Sequence, residues 1–322
     1  MGSIITLSIV QSALELGFIY ALVALALFIS FSILNIADLS TDGCFTLGCA
    51  VCASVTLAGH PVLGLLAAMA AGVCSGFVTA FLQTRLGIQS ILAGIIVNTG
   101  LYTINIAVMG FASNLNLFAC DSVFTWAKDA IGGTWYKLIV AAVIVALVGV
   151  LISLFLNTRL GLSIRATGDN PDMVRASSIN TGVMITIGLC IAGSFTALSG
   201  CLLAQYQKSC DINLGTGMVT IALASLIIGE TIIGKGSMLK RVIGVILGSC
   251  LYRFIVAVAL RLNVPAECLK LVSSIIVAVA IAFPYLKKQA VFYRQKRAAK
   301  AENEQYIAEL LREERMGKGG NA

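Results

Sequence analysis

The chain has little with which to do covalent or redox chemistry. It contains one histidine, His60, and only 15 acidic residues in 322. A metal site needs several converging ligands. Beyond Cys49-Ala50-Val51-Cys52 there is no second cysteine pair of that spacing and no further histidine to complete one. The ten cysteines are scattered through apolar runs, where Cys packs as a small residue does; Cys120 and Cys210 both fall on the expected outer side of a membrane, where they either pair or stay free. No nucleophile elbow is present, which argues against an integral-membrane enzyme. Nor is there a usable phosphate loop. Gly229-Glu230-Thr231-Ile232-Ile233-Gly234-Lys235 spells most of one, but Gly236 stands where a Ser or Thr must hold magnesium. The sequence therefore predicts no metal, no cofactor and no ATP hydrolysis in this chain. Acidic residues are nearly absent from the centres of the apolar runs, which counts against a proton-coupled secondary transporter.

Charge is scarce as well. Charged residues make up 11% of the chain and hydrophobic ones 58%, with a mean hydropathy of +0.95. Soluble domains carry about a quarter charged residues. The first basic residue is Arg85, so the first apolar run lacks the basic flank of a cleavable leader and is expected to remain in the protein.

What is present is a series of long apolar runs. A bilayer-spanning helix needs about 20 such residues. Nine segments qualify as candidates: 8–34, 43–58, 62–83, 88–111, 136–157, 182–204, 217–234, 241–260 and 267–286. They are continuous rather than alternating, which favours helices over a β-barrel. With the C-terminus in the cytoplasm, sixteen of the 22 basic residues fall on the inner side, and nine spans then place the N-terminus outside. The net charge of +7 lies mostly on this inner fringe and suits anionic lipid headgroups, not nucleic acid. The expectation is an all-α polytopic membrane protein of about nine transmembrane helices, with a transmembrane domain over 1–286 and a basic cytoplasmic tail over 287–322.

Polar residues inside this apolar chain mark candidate sites. Asn35-Ile36-Ala37-Asp38-Leu39-Ser40-Thr41-Asp42-Gly43 interrupts the first two spans. Leu214-Gly215-Thr216-Gly217 precedes the seventh. Irregular backbone at membrane depth must be buried in protein or line a cavity. The spans after these breaks, 43–58 and 217–234, are the two shortest and run in opposite directions, as an inverted repeat requires. Their N-termini either face a solute through their positive ends or are tight turns at the membrane surface. Asp38, Ser40, Asp42 and Thr216 are candidate path residues on this basis. Asn98 and Asn105 share a helical face and either line a pore or bond a neighbouring helix. Arg253 lies about 18 Å along its span at 1.5 Å per residue, where a charge points to function or a buried partner unless it snorkels outward. Glu15 and Glu230 sit near span ends, where solvation is the default.

One polar island, 157–180, separates the fifth and sixth spans. It carries Arg159, Arg165 and Arg175. Asn170 is placed to cap a helix whose first position is Pro171, with Asp172 in its first turn. Such a helix has no core of its own to join. Met173 and Val174 are apolar, and either dock in another protein's groove or fold back onto the span ends. Arg175 is positioned to pair with a carboxylate beside that groove. An ordinary cytoplasmic loop is the plainer alternative.

The island resembles the cytoplasmic coupling segment of ABC importer permeases of the branched-chain amino acid and ribose type. Thr158-Arg159-Leu160-Gly161-Leu162-Ser163-Ile164-Arg165-Ala166 and, after Asp169, Asn170-Pro171-Asp172-Met173-Val174-Arg175-Ala176 carry the resemblance. Ser178 departs from it, standing where the family usually has Gly. The Gly215–Ser237 stretch and the Asn35–Gly43 break are similar to two further signatures. Ala93-Gly94-Ile95, Ile104-Asn105 and Met109-Gly110 narrow the likeness to single-gene permeases paired with binding proteins for aromatic amino acids. The resemblance covers about residues 10–286. It implies a bacterial inner-membrane homodimer of permease copies, two cytoplasmic ATPase subunits that hold ATP and magnesium, and an extracytoplasmic binding protein. It also implies that residues 165 and 169–175 contact the ATPase, whose closure moves this helix and rocks the spans. A nucleoside or sugar is the alternative solute, and a secondary transporter the rival class.

Overall fold

In hydrocarbon every backbone polar group needs a partner within the protein, which leaves a chain this apolar only helices with short, buried breaks. The computed structural model describes residues 7–133, 135–234 and 236–261, together with scattered helical positions between 271 and 303. Its elements are α1 (Leu7–Leu27, continued by a π-helical turn, Phe28–Ile33), α2 (Thr41–Leu57), α3 (Pro61–Thr84), α4 (Ser90–Val108), β1 (Asn114–Asn116), α5 (Val123–Ile131), α6 (Tyr136–Leu156), α7 (Arg159–Asp169), α8 (Pro171–Ala176), α9 (Thr181–Gln207), β2 (Ser209–Asp211), α10 (Met218–Ile233) and α11 (Met238–Arg261). The chain divides into two compact units, Met1–Val277 and Ala278–Ala322, and every element named here belongs to the first.

The protein is all-α and polytopic, apart from one small antiparallel pairing that sets Leu115 of β1 opposite Cys210 of β2. Among the described residues six helices are long and apolar enough to cross a membrane: α1 with its extension, α3, α4, α6, α9 and α11. These helices match six of the nine candidate segments. The segments 43–58 and 217–234 are helical but short, as α2 and α10. The ninth segment, 267–286, lies largely outside the described residues, as does the end of the 287–322 tail.

α1 and α9 form the centre. A helix that is apolar all round belongs inside a bundle, and the run from Ile19 to Ile29 is buried throughout. α9 packs on α3, α2 and α1. Small residues make these approaches close, as membrane helix packing requires. A methyl group added at Gly72 or Gly76 of α3 would strike the Gly193 or Leu189 carbonyl of α9. The Gly244/Gly248 face of α11 meets α10 at Gly229 and Ser225 in the same way. Cysteine serves the same purpose: Cys49 Sγ donates to the Gly200 carbonyl at 3.0 Å, and Cys52 lies against Cys201. Cys120 and Cys210 are both free thiols.

Two local features were not expected. α5 arises within what reads as a connecting loop, and is closed at its start by a capping box between Ser122 and Thr125. The end of α1 widens into a π-helical turn, with Leu34 N bonded to the Ile29 carbonyl at 3.0 Å. π-turns of this kind recur at functional sites.

Candidate functional site

The two short helices meet at their N-termini. α2 starts beside the middle of α9, where Cys44 Sγ donates to the Gly193 carbonyl at 3.4 Å. Gly193 is about 18 Å from the start of α9 at 1.5 Å per residue, so α2 is a half-span. Asp42, in its first turn, reaches across to α10. Its carboxylate accepts from Gly217 N and Val219 N, both at 2.9 Å. Thr46 Oγ1 accepts from Gly215 N at 3.2 Å. The unpaired amides of one helix start are thus satisfied by the first turns of the other, and the negative charge faces the positive end of α10. Gly217 has φ +87°, a conformation that favours glycine.

The break before α2 is fully built. Asp38 is buried, and one of its oxygens accepts from Ser40 N at 2.9 Å and Ser40 Oγ at 2.6 Å. Thr79 of α3 donates to Ser40 Oγ at 3.3 Å. From α4, Asn105 Nδ2 donates to the Gly43 carbonyl at 3.1 Å while its Oδ1 has no partner. Asn98 Oδ1 also faces Gly43, where a methyl group would strike it. Both asparagines therefore brace the start of α2. Thr216 is exposed in the turn before α10.

Arg253 lies over the Tyr20 ring, with Cζ 3.5 Å from its centroid. Tyr20 in turn stacks on Phe45 at 6.3 Å and 9°. This cation–aromatic column joins α11, α1 and α2 through the interior. Among the described residues Arg253 makes no ion pair, and its Nε lacks a hydrogen-bond partner.

The two glutamates at span ends are not simply solvated. Glu15 is 4% exposed and accepts from Tyr206 Oη at 2.8 Å and Gln11 Nε2 at 2.9 Å. Glu230 accepts from Arg241 Nη2 at 2.7 Å and Ser32 Oγ at 2.6 Å, tying the ends of α1 and α10 to the start of α11. Span position alone hid both, because Tyr206 reaches Glu15, and Arg241 and Ser32 reach Glu230, from other helices.

The polar island forms two helices, not one. α7 is seated on the bundle: Ile164 is buried, Gly161 abuts Phe155 and Leu156, and Gly168 abuts the Ile33 carbonyl at the π-turn. Arg165 is half-buried on α7 and Asp169 is exposed at its end. Asn170 Oδ1 caps α8, accepting from Asp172 N and Met173 N at 3.1 Å. Of the two apolar residues on α8, Val174 is 2% exposed and folds into this chain, whereas Met173 is 61% exposed. Pro171, Asp172 and Arg175 are exposed as well. Arg175 pairs with Asp172 at 3.5 Å, and its Nε donates to Thr181 Oγ1 at the start of α9. Ser178 has φ +62°, in the left-handed region.

A bundle of spans, two half-helices clasped inside it and a paired helix projecting from one end make up a solute permease. The family model described as "Branched-chain amino acid transport system / permease component" matches residues 9–281, and the chain belongs to that family. It is the membrane-spanning permease subunit of an ATP-driven importer, a multi-pass protein of the bacterial inner membrane. Importers of this family assemble permeases with ATPase subunits and a binding protein.

The chain is 34% identical over 272 residues to the tyrosine transport system permease protein of Clostridioides difficile (strain R20291), covering 84% of this chain and 90% of that one. It is 29% identical to an uncharacterized protein of Rickettsia prowazekii (strain Madrid E), covering 85% and 97%. Likeness to the ribose import permease protein of Escherichia coli (strain K12) is 24%, covering 76% and 75%. No solved structure matches the chain.

Proposed function

We propose that this permease imports an aromatic amino acid, delivered by an extracytoplasmic binding protein and driven by two cytoplasmic ATPase subunits that dock on α7 and α8. The observation that carries the substrate reading is the 34% identity to a tyrosine permease over nearly the whole of that protein. The weaker likeness to a ribose permease supports a sugar as the second reading. Two copies of the chain form the path. The chain crosses the membrane nine times, with the N-terminus outside and the 287–322 tail in the cytoplasm.

The geometry supports a transmission route. α8 presents Met173 and its acidic first turn outward, while Val174 anchors it to the bundle. α7 rests on the π-turn of α1 through Gly168, and Arg175 reaches the start of α9. A push on α8 therefore acts on the two central helices, which carry Tyr20 and the packing against α2. Movement of α1 and α9 against the Asp42 clasp opens the path to one side or the other, a rigid-body alternation between two states.

Uptake into proteoliposomes holding permease and ATPase, with the binding protein added, tests the substrate. Labelled tyrosine and tryptophan are expected to accumulate with ATP and ribose is not. Accumulation of ribose alone would replace the first reading by the second.

A further inference from the structure

A second site lies away from the clasp, where α5, the start of α6 and the end of α9 meet. They border a cavity of about 340 Å³ whose lining includes Lys128, Lys137 and Lys208. No carboxylate lines it. Asp121, Asp129 and Asp211, the nearest acids in sequence, lie outside the lining; Asp121 and Asp129 are exposed, and Asp211 Oδ1 accepts from Asn213 N at 2.8 Å. Glu15 is outside the lining as well, engaged by Tyr206 Oη and Gln11 Nε2.

Two sets of neutral polar groups in the cavity are already partnered. Gln205 accepts from Val123 N and donates to the Pro61 carbonyl. Ser122 and Thr125 bond each other at 2.9 Å. Lys137 is held over the Tyr206 ring at 4.5 Å, and neither Lys128 nor Lys208 forms an ion pair with any described residue. The charged donors are the ammonium groups of Lys128, Lys137 and Lys208, and the positive N-terminal end of α6, which carries Lys137, adds to theirs. Such a set calls for one compact anion with several acceptor oxygens.

The surroundings give the depth of the cavity. The chain has two tryptophans, Trp126 on α5 and Trp135 just before α6, and both are exposed beside the site. Tryptophan concentrates at the membrane–water boundary. α5 buries Phe124 against Tyr206, with ring centroids 5.9 Å apart, and leaves Trp126 and Asp129 exposed. That two-sided character suits a helix lying along the boundary. An anion at that depth is most abundantly the phosphate of a lipid headgroup.

We propose that the cavity between α5, α6 and α9 binds the phosphate of an anionic phospholipid through Lys128, Lys137 and Lys208. The lipid wedges α5 against the ends of α6 and α9. The test uses the full chain purified in mild detergent, stripped of lipid, then offered phosphatidylglycerol or phosphatidylcholine and read by native mass spectrometry. The wild-type chain is expected to retain phosphatidylglycerol several-fold over phosphatidylcholine. The Lys128→Gln/Lys137→Gln/Lys208→Gln variant should lose that preference, and the matching triple-arginine variant should keep it, which separates lost charge from lost folding. Displacement of retained lipid by millimolar inorganic phosphate supports the phosphate as the group recognised. Equal retention by wild type and the glutamine variant overturns the proposal. So does binding of free phosphate with no lipid retained, or a glutamine variant that keeps its lipid and loses only its affinity for the binding protein.

Discussion

The Asp42 carboxylate holds Gly217 N and Val219 N at 2.9 Å, so the start of α10 is capped by a residue 175 positions earlier in the chain. The clasp joins the two short helices through charge-assisted hydrogen bonds, which are about twice as strong as neutral ones. Any rearrangement that separates α2 from α10 must bend or break it.

Replacing Asp42 by Ala removes both acceptors and leaves two amides unsatisfied. A hydrogen bond to a charged group contributes roughly 1.5–3 kcal/mol. Asp42→Ala should lower the thermal unfolding midpoint in detergent and abolish uptake while membrane insertion persists. Asp42→Asn, which keeps one acceptor, should fall between. Wild-type uptake by Asp42→Ala would show that the clasp has no part in transport.

Close packing of α3 on α9 rests on Gly72. Gly72→Val drives a branched side chain into the Gly193 carbonyl of a well-packed interior, where overpacking costs about 1–3 kcal/mol. Gly100 of α4 has open space around its Cα, so Gly100→Val should leave stability near that of the parent. Detergent thermal unfolding of the two variants side by side reads the difference, and equal midpoints would contradict the packing described.

Arg253, Tyr20 and Phe45 form one column through the interior. A desolvated cation over a tyrosine ring contributes about 2 kcal/mol or more. Arg253→Leu and Tyr20→Leu should each impair uptake more than insertion, and the double variant should be little worse than either. Additive losses would mean that the two residues act separately. Normal uptake by Arg253→Leu would remove the column from the mechanism.

Ser178 sits at φ +62°, a conformation that costs a side-chain-bearing residue roughly 1–2 kcal/mol. Ser178→Gly removes that strain in the turn between α8 and α9. It should raise resistance of this segment to limited proteolysis and leave ATPase binding intact. Faster cleavage than in the parent would show that the serine contributes something the glycine lacks.

Much of this was legible from residue type and spacing. Long apolar runs marked the helices, and Asn170-Pro171-Asp172 marked the start of α8 by cap chemistry alone. The two short spans identified α2 and α10 as a related pair. What was not legible came from pairings between distant segments. Asp42 reads as a possible solute contact until α10 arrives beside it. Glu15 and Glu230 read as solvated until Tyr206 and Arg241 do the same. Met173 and Val174 are neighbours of equal apolarity, and only the turn of α8 against the bundle separates the exposed one from the buried one. α5 was missed because nine residues are too few to impose a clear period.

Met173→Asp tests the central claim, that α8 carries the ATPase's motion to the spans. The residue is exposed on α8, so the change should not disturb the fold, whereas Val174→Asp would place a charge in the interior and confuse docking with unfolding. The measurement is copurification of the ATPase with the Met173→Asp permease, followed by ATP-driven uptake from proteoliposomes. The account predicts that the variant inserts and dimerises normally, loses the ATPase on purification and shows no uptake. Full recovery of the complex with wild-type uptake would contradict it.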